Sequence, residues 1–187
     1  MGETVSDIVL ETERLILRKW RAGDSEPFLQ HLNTRNVMRW LGGVQSREKF
    51  DAAITRLEGY DRDFGHTFWI VERKADAEIL GFCGLKRVNA PQPKLTGAHE
   101  IGWRLREDAW GKGYAKEAAS AAMDFVVDEL GWDTVIHSID PNNHRSRRVA
   151  EKLGSRFLRE DRLPAPFNEK PIDIWGQSAA EWRARRR

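Results

Sequence analysis

One arrangement restricts this chain more than any other. A strand-like run, His99-Glu100-Ile101-Gly102-Trp103-Arg104-Leu105, leads into Trp110-Gly111-Lys112-Gly113-Tyr114-Ala115, and an alanine-rich helical pattern then runs from about Gly113 to Leu130. A strand that turns directly into a long helix demands a layered α/β architecture. Two glycines one residue apart let the backbone turn tightly and let a ligand approach N–H groups without meeting a Cβ. A helix starting there aims unpaired donors and the positive end of its dipole at one spot. Such a spot seats phosphate oxygens.

The surrounding sequence suits one mixed α/β domain over 1–187, with its core at about 11–176 and a short basic tail. Arg14 to Lys19 reads as a strand, and Asp24 as a helix cap before Pro27, Phe28, Leu29 and Leu32. Ser46 caps a second helix reaching Leu57, with Phe50, Ile54 and Leu57 at helical spacing. Thr67–Glu72 and Ile79–Val88 flank a polar turn and read as an antiparallel hairpin, followed by a loop at Pro91 and Pro93. The long helix turns Ala115, Ala118, Ala119, Ala122, Val126 and Leu130 to one face. Val135–Ile139 is a strand, Asn143–Leu153 a helix with Ser146, Val149, Ala150 and Leu153 inward, and Arg156–Arg159 and Ile172–Trp175 are closing strands.

A net charge of +2 speaks against a general polyanion binder, although Arg145, Arg147, Arg148 and the Arg-rich end concentrate positive charge. One cysteine, Cys83, rules out an internal disulfide and suits a reducing compartment. Met1 to Asp7 lacks the basic and apolar parts of a signal peptide, and no apolar stretch reaches the roughly 20 residues of a membrane span. A cytoplasmic protein is expected. The five histidines show no metal-ligand spacing, so no metal is expected.

The ordered set of motifs resembles the GNAT family of acyl-CoA-dependent N-acyltransferases, and within it the RimJ/RimL-like branch. It runs from Glu11-Thr12-Glu13-Arg14-Leu15-Ile16-Leu17-Arg18 through Gly81-Phe82-Cys83-Gly84-Leu85, Glu100-Ile101-Gly102-Trp103 and the Gly111–Ala115 loop. It ends at Pro141-Asn142-Asn143-His144-Arg145-Ser146 and Glu151-Lys152-Leu153-Gly154. The family's phosphate loop reads Gln/Arg-x-x-Gly-x-Gly/Ala. Trp110 departs from it at the first position, while Gly113 and Ala115 match.

The resemblance implies a mostly antiparallel mixed sheet, flanked by helices and splayed between its fourth and fifth family strands, here those of Ile101 and Val135. Acetyl-CoA would be the acyl donor. Its pantetheine would bond to the backbone near Arg104, Leu105 and Arg106, like an added strand. Its pyrophosphate would rest on Gly111, Lys112, Gly113, Tyr114 and Ala115. Asn143 and Ser146 match positions near the thioester and pantetheine. Arg145, Arg147 and Arg148 fall where relatives meet the adenosine 3′-phosphate, and equally suit an outward basic face.

Glu100 matches a position used as general base, and its plainer reading is a solvated strand-end glutamate. Ser146 stands in for the tyrosine that protonates the leaving thiolate in many relatives, and its plainer reading is a helix residue bonding the local backbone. His99 and His137 are further proton carriers or simple packing residues. Trp40 and Arg39 line the acceptor pocket or pack a lid. Cys83, within an apolar strand, reads as a small buried hydrophobe. The expected reaction is direct attack of a primary amine on the thioester, most simply by the N-terminal α-amine of a protein or peptide. Aminoglycosides, polyamines and amino-acid derivatives are the alternative acceptors. A non-catalytic acyl-CoA-binding module and a regulator tethered to nucleic acid by the Arg-rich tail are readings of a different class. Exposed strand edges leave a homodimer open.

Overall fold

The computed structural model describes residues 7–87, 97–163 and 170–186. The end of the hairpin at Val88 and the Pro91–Pro93 loop lie outside them. The chain divides into two compact units, 1–84 with 103–121 and 85–102 with 122–187.

In the first unit the strand order is β1-β2-β3-β4-β5, formed by β1 (Ile8–Glu11), β2 (Leu15–Arg18), β3 (Phe68–Arg73), β4 (Ile79–Arg87) and the end of β5 (His99–Leu105). β1, β2, β3 and β4 pair antiparallel in turn. β1 escaped the sequence reading because Ile8, Val9 and Leu10 form a short run without the period-2 alternation that marks a half-buried strand. Two helices carry the apolar cover of this sheet, α1 (Ser25–Leu32) and α2 (Arg47–Phe64). Phe28, Leu32, Val37, Phe50, Ile54, Ile70 and Phe82 form their common core.

Asp24 precedes α1 as expected but does not cap it with its side chain. Its carboxylate instead receives two bonds from the buried Arg18, at 2.7 and 3.0 Å, and one from Arg21 N–H. A charge-assisted bidentate pair is stronger than a neutral capping bond, so the guanidinium wins the carboxylate. Glu72 completes the neutralisation of Arg18 at 2.7 Å. Ser46 does cap α2, through Lys49 N–H. That helix runs on past Leu57 to a left-handed Gly65, through two turns in which Tyr60 and Phe64 meet ring to ring and Phe64 stays exposed.

The second unit has the order β5-β6-β8-β7, with β6 (Thr134–Ile139), β7 (Arg156–Arg162) and β8 (Pro171–Ser178). β6 and β8, and β7 and β8, are antiparallel, whereas β5 and β6 are parallel. Helix α3 (Tyr114–Asp128) buries Ala118, Ala119, Ala122, Met123, Val126 and Val127. Leu130, assigned by periodicity to that face, lies beyond the helix and is 38% exposed.

The basic end is a helix rather than a solvated tail: α5 spans Ala179–Arg186. Trp182 is buried and donates to Asp124, Arg186 pairs with Asp124 and Asp128, and Arg183 donates to Val127 O. Arg183 and Arg186 are thus held by α3 carboxylates and a carbonyl.

Candidate active site

The loop after β5 is built by local chemistry. A short 3-10 turn, Glu107–Ala109, is followed by Trp110, whose indole N–H donates to Leu105 O at 2.8 Å. A tryptophan at the first loop position thus fastens the loop to its own strand. Gly111 and Gly113 both adopt left-handed backbone, at φ 76° and 87°. A Cβ at Gly111 would meet nothing within 4 Å, so that side of the loop is open. The first bond of α3 runs from Glu117 N to Gly113 O, leaving the N–H groups of the first turn ahead of it outside the helical ladder. Open space, positive φ and unladdered N–H groups are what a pyrophosphate needs, so the Gly111–Ala115 loop fits the phosphates of acetyl-CoA.

A clamp holds the loop. Glu117 accepts from Thr12 Oγ1 at 2.6 Å, from Arg14 N at 2.9 Å and from Arg14 Nε at 2.7 Å. Arg14 then donates to Lys112 O and lies 4.4 Å over the Tyr114 ring. Burial pushes the Glu117 carboxyl up, but the bonds from Thr12 and Arg14 outweigh it and the group titrates below its ordinary value. The stability it contributes is therefore present above the ordinary glutamate pKa and lost as pH falls through the lower folded value. Glu117→Gln is expected to cost about 1–3 kcal/mol and to weaken acetyl-CoA binding about tenfold, read by urea denaturation and calorimetry. An unchanged affinity would mean that the clamp does not shape the loop.

The backbone of β5 refines the expected pantetheine contacts. Arg106 N donates to Leu80 O, and Arg104 O lies so close to Gly81 that a Cβ there would be 2.0 Å away. Both residues therefore direct their peptide groups toward β4. By strand alternation Trp103 and Leu105 face the opposite edge, and the Leu105 carbonyl already accepts from Trp110. Of Arg104, Leu105 and Arg106, only Leu105 presents backbone to that edge.

In the second unit β5 and β6 share the register pair Glu100↔Ile136. Beyond it, side chains take the place of the ladder. Ser138 N donates to Glu100 Oε1 at 3.2 Å, and His137 Nδ1 meets Ile101 O at 2.8 Å. Because a carbonyl only accepts, Nδ1 carries the proton, and Nε2 accepts from Ser155 Oγ at 3.0 Å. Ser155 in turn accepts from Gln177 Nε2, which also donates to Leu153 O. Side-chain bonds thus link β5 and β6 past the Glu100↔Ile136 register pair. His137 is 1% exposed and burial pushes its pKa down to about 4, so it is a neutral structural ring and not a proton carrier. Sequence reading missed this role because nothing local in His137 reveals Ser155 or Gln177 behind it.

Asn143 caps α4 (His144–Leu153), its Oδ1 accepting from Ser146 N at 3.2 Å. Ser146 is half-buried in the first turn. Arg147 lies 5.5 Å over Trp175, while Arg145 and Arg148 are exposed. His99 stacks on Trp132 at 4.1 Å. The Arg39 guanidinium lies 4.6 Å over Trp40. Burial pushes the Cys83 thiol far up, which leaves it un-nucleophilic. Among the described residues no helix is long and apolar enough to cross a membrane, and no group of three or more His, Cys, Asp or Glu could hold a metal ion.

A family model described as an acetyltransferase (GNAT) domain matches residues 14–156. The Bacillus subtilis protein YkkB is 32% identical over 168 residues, covering 89% of this chain and 93% of that one. The uncharacterized N-acetyltransferase YnaD of the same organism is 29% identical over 150 residues, covering 79% and 82%. An acetyltransferase structure from Agrobacterium tumefaciens superposes with a TM-score of 0.76 at 24% identity, covering 95% and 98%.

Proposed function

The chain belongs to the GNAT acetyltransferase family and is an acetyl-CoA-dependent N-acetyltransferase; from that premise we propose that its acceptor is the N-terminal α-amine of a protein or peptide, in the manner of the RimJ/RimL-like branch. The observation carrying this reading is the state of the proton-handling groups. Glu100 has one oxygen on Ser138 N–H, and His137 is sealed in its buried network. A lone, partly engaged carboxylate suits an acceptor that sheds its proton easily. An α-amine titrates near ~8 and a lysine-type amine near ~10.4, so at neutral pH the reactive fraction differs by about two hundredfold.

Acetyl-CoA supplies the acetyl thioester. The loop Gly111–Ala115 seats the phosphates, and the β5 edge at Trp103 and Leu105 aligns the pantetheine. The second oxygen of Glu100 collects the ammonium proton directly or through a water. The Ser146 hydroxyl, beside the Asn143 cap, supplies a proton to the departing sulfur. The new N–C bond replaces the C–S bond, so atoms balance with free thiol as the second product.

Free-thiol release should occur with peptides beginning in Ser, Ala or Met and fall by at least about tenfold in Glu100→Gln. Turnover confined to polyamines or aminoglycosides would overturn the peptide reading. Bound acetyl-CoA with no turnover on any amine, and indifference to Glu100→Gln, would favour a binding module.

A further inference from the structure

Arg18 and Arg104 of the first unit differ in one respect. Arg18 is neutralised by Asp24 and Glu72. Arg104 has no carboxylate partner among the described residues, and its Nε is buried without a hydrogen bond. Its guanidinium lies 4.9 Å over the ring of Phe82. Phe82 stacks at 5.5 Å on Phe28 and at 4.9 Å on Phe68, within the core beneath α1 and α2. The residue as a whole keeps partial surface exposure. Burial alone pushes its pKa down to about 10, and no anion offsets that shift.

The connection between α1 and α2 reaches the same end of β5. Asn36 donates to both oxygens of Glu107, at 2.9 and 3.0 Å, two residues beyond the strand. A desolvated cation without an anion is expensive, and an aromatic face offsets only part of that cost. The arrangement makes sense if the anion arrives with a ligand, because a planar guanidinium takes a carboxylate in two parallel bonds. The phosphates of acetyl-CoA are already provided for by the backbone of the Gly111–Ala115 loop.

We infer that the Arg104 guanidinium binds a carboxylate of the acceptor, so that the acetylated amine belongs to a molecule with a carboxylate close to it. Such an acceptor is a free amino acid or a peptide with an acidic residue next to its first. The inference rests on the α-amine reading above, which it narrows among peptides and extends to free amino acids. The same cation repels polyamines and aminoglycosides.

The test compares matched acceptors that differ only in charge: alanylglutamate against alanylglutamine, and serine against serinamide, with spermidine as the cationic control. Wild type should prefer a carboxylate member by about 100-fold in kcat/KM, mainly through KM. Selectivity in the dipeptide pair identifies a peptide acceptor, and selectivity in the serine pair a free amino acid. Arg104→Gln should level the preference, Arg104→Lys should restore part of it, and both should still bind acetyl-CoA. Equal use of charged and amide acceptors, or spermidine turnover matching alanylglutamate, overturns the inference. So does loss of acetyl-CoA binding or folding in both variants. Calorimetric titration of the same compounds separates this proposal from the one before it. Carboxylate-selective binding that Arg104→Gln abolishes supports Arg104 even without thiol release, and that silence would overturn only the proposed reaction.

Discussion

Gly113→Val is expected to weaken acetyl-CoA binding at least about 100-fold while leaving the chain folded. Gly113 sits at φ 87°, where a β-branched residue is a steric outlier. Its new Cβ would stand 3.3 Å from an Arg14 guanidinium nitrogen, and that arginine is already bound to Glu117 and Lys112 O. The γ-methyls therefore press on the clamp as well as on the space a pyrophosphate would fill. Local strain of about 1–3 kcal/mol is survivable against a typical domain stability of roughly 5–15 kcal/mol. Gly113→Ala shares the backbone cost without the γ-methyls and should be intermediate. Calorimetry with acetyl-CoA, beside circular dichroism of each variant, reads both effects. Undiminished affinity in Gly113→Val would place the phosphates elsewhere.

His137 should give the chain a distinctive acid sensitivity. Its pKa is about 4 when folded, against an ordinary value of 6.5, because burial disfavours the charged ring. Between those values the unfolded chain takes up a proton that the folded chain refuses. The stabilisation is thus complete above pH 6.5 and is lost progressively as pH falls toward 4. At ~1.4 kcal/mol for each pH unit of displacement, the loss amounts to about 3 kcal/mol. Urea unfolding at pH 7.5 and 4.5 should show wild type losing that much more than His137→Gln, which retains an amide to bridge Ile101 O and Ser155. Equal losses would mean that the ring is not held neutral.

The parts of the molecule written locally were legible without a structure. The β5–loop–α3 passage needs only an apolar strand, two glycines and a run of alanines, and it occurs where those residues place it. The β3–β4 hairpin and Ser46 cap follow the same logic. What stayed hidden depends on partners distant in sequence. Asp24 reads as a cap until Arg18 is found beside it, and the terminal arginines read as a tail until Asp124 and Asp128 appear on the facing side of α3. The direction of the β5 peptide groups also required the neighbouring strand. Arg106 N–H is spent on Leu80 O, a fact of register that no motif carries. Arg104 is the clearest case, since no motif tells that its buried Nε meets no partner and that no carboxylate among the described residues pairs with it.

Transfer of acetyl from acetyl-CoA to an α-nitrogen is tested by locating the acetyl group in the product. A peptide with a free N-terminus and one internal lysine, incubated with the protein and acetyl-CoA, would be fragmented by mass spectrometry. One added acetyl group is expected, confined to the N-terminal α-nitrogen and absent when Gly113→Val replaces the wild type. Acetylation confined to the lysine side chain would contradict it.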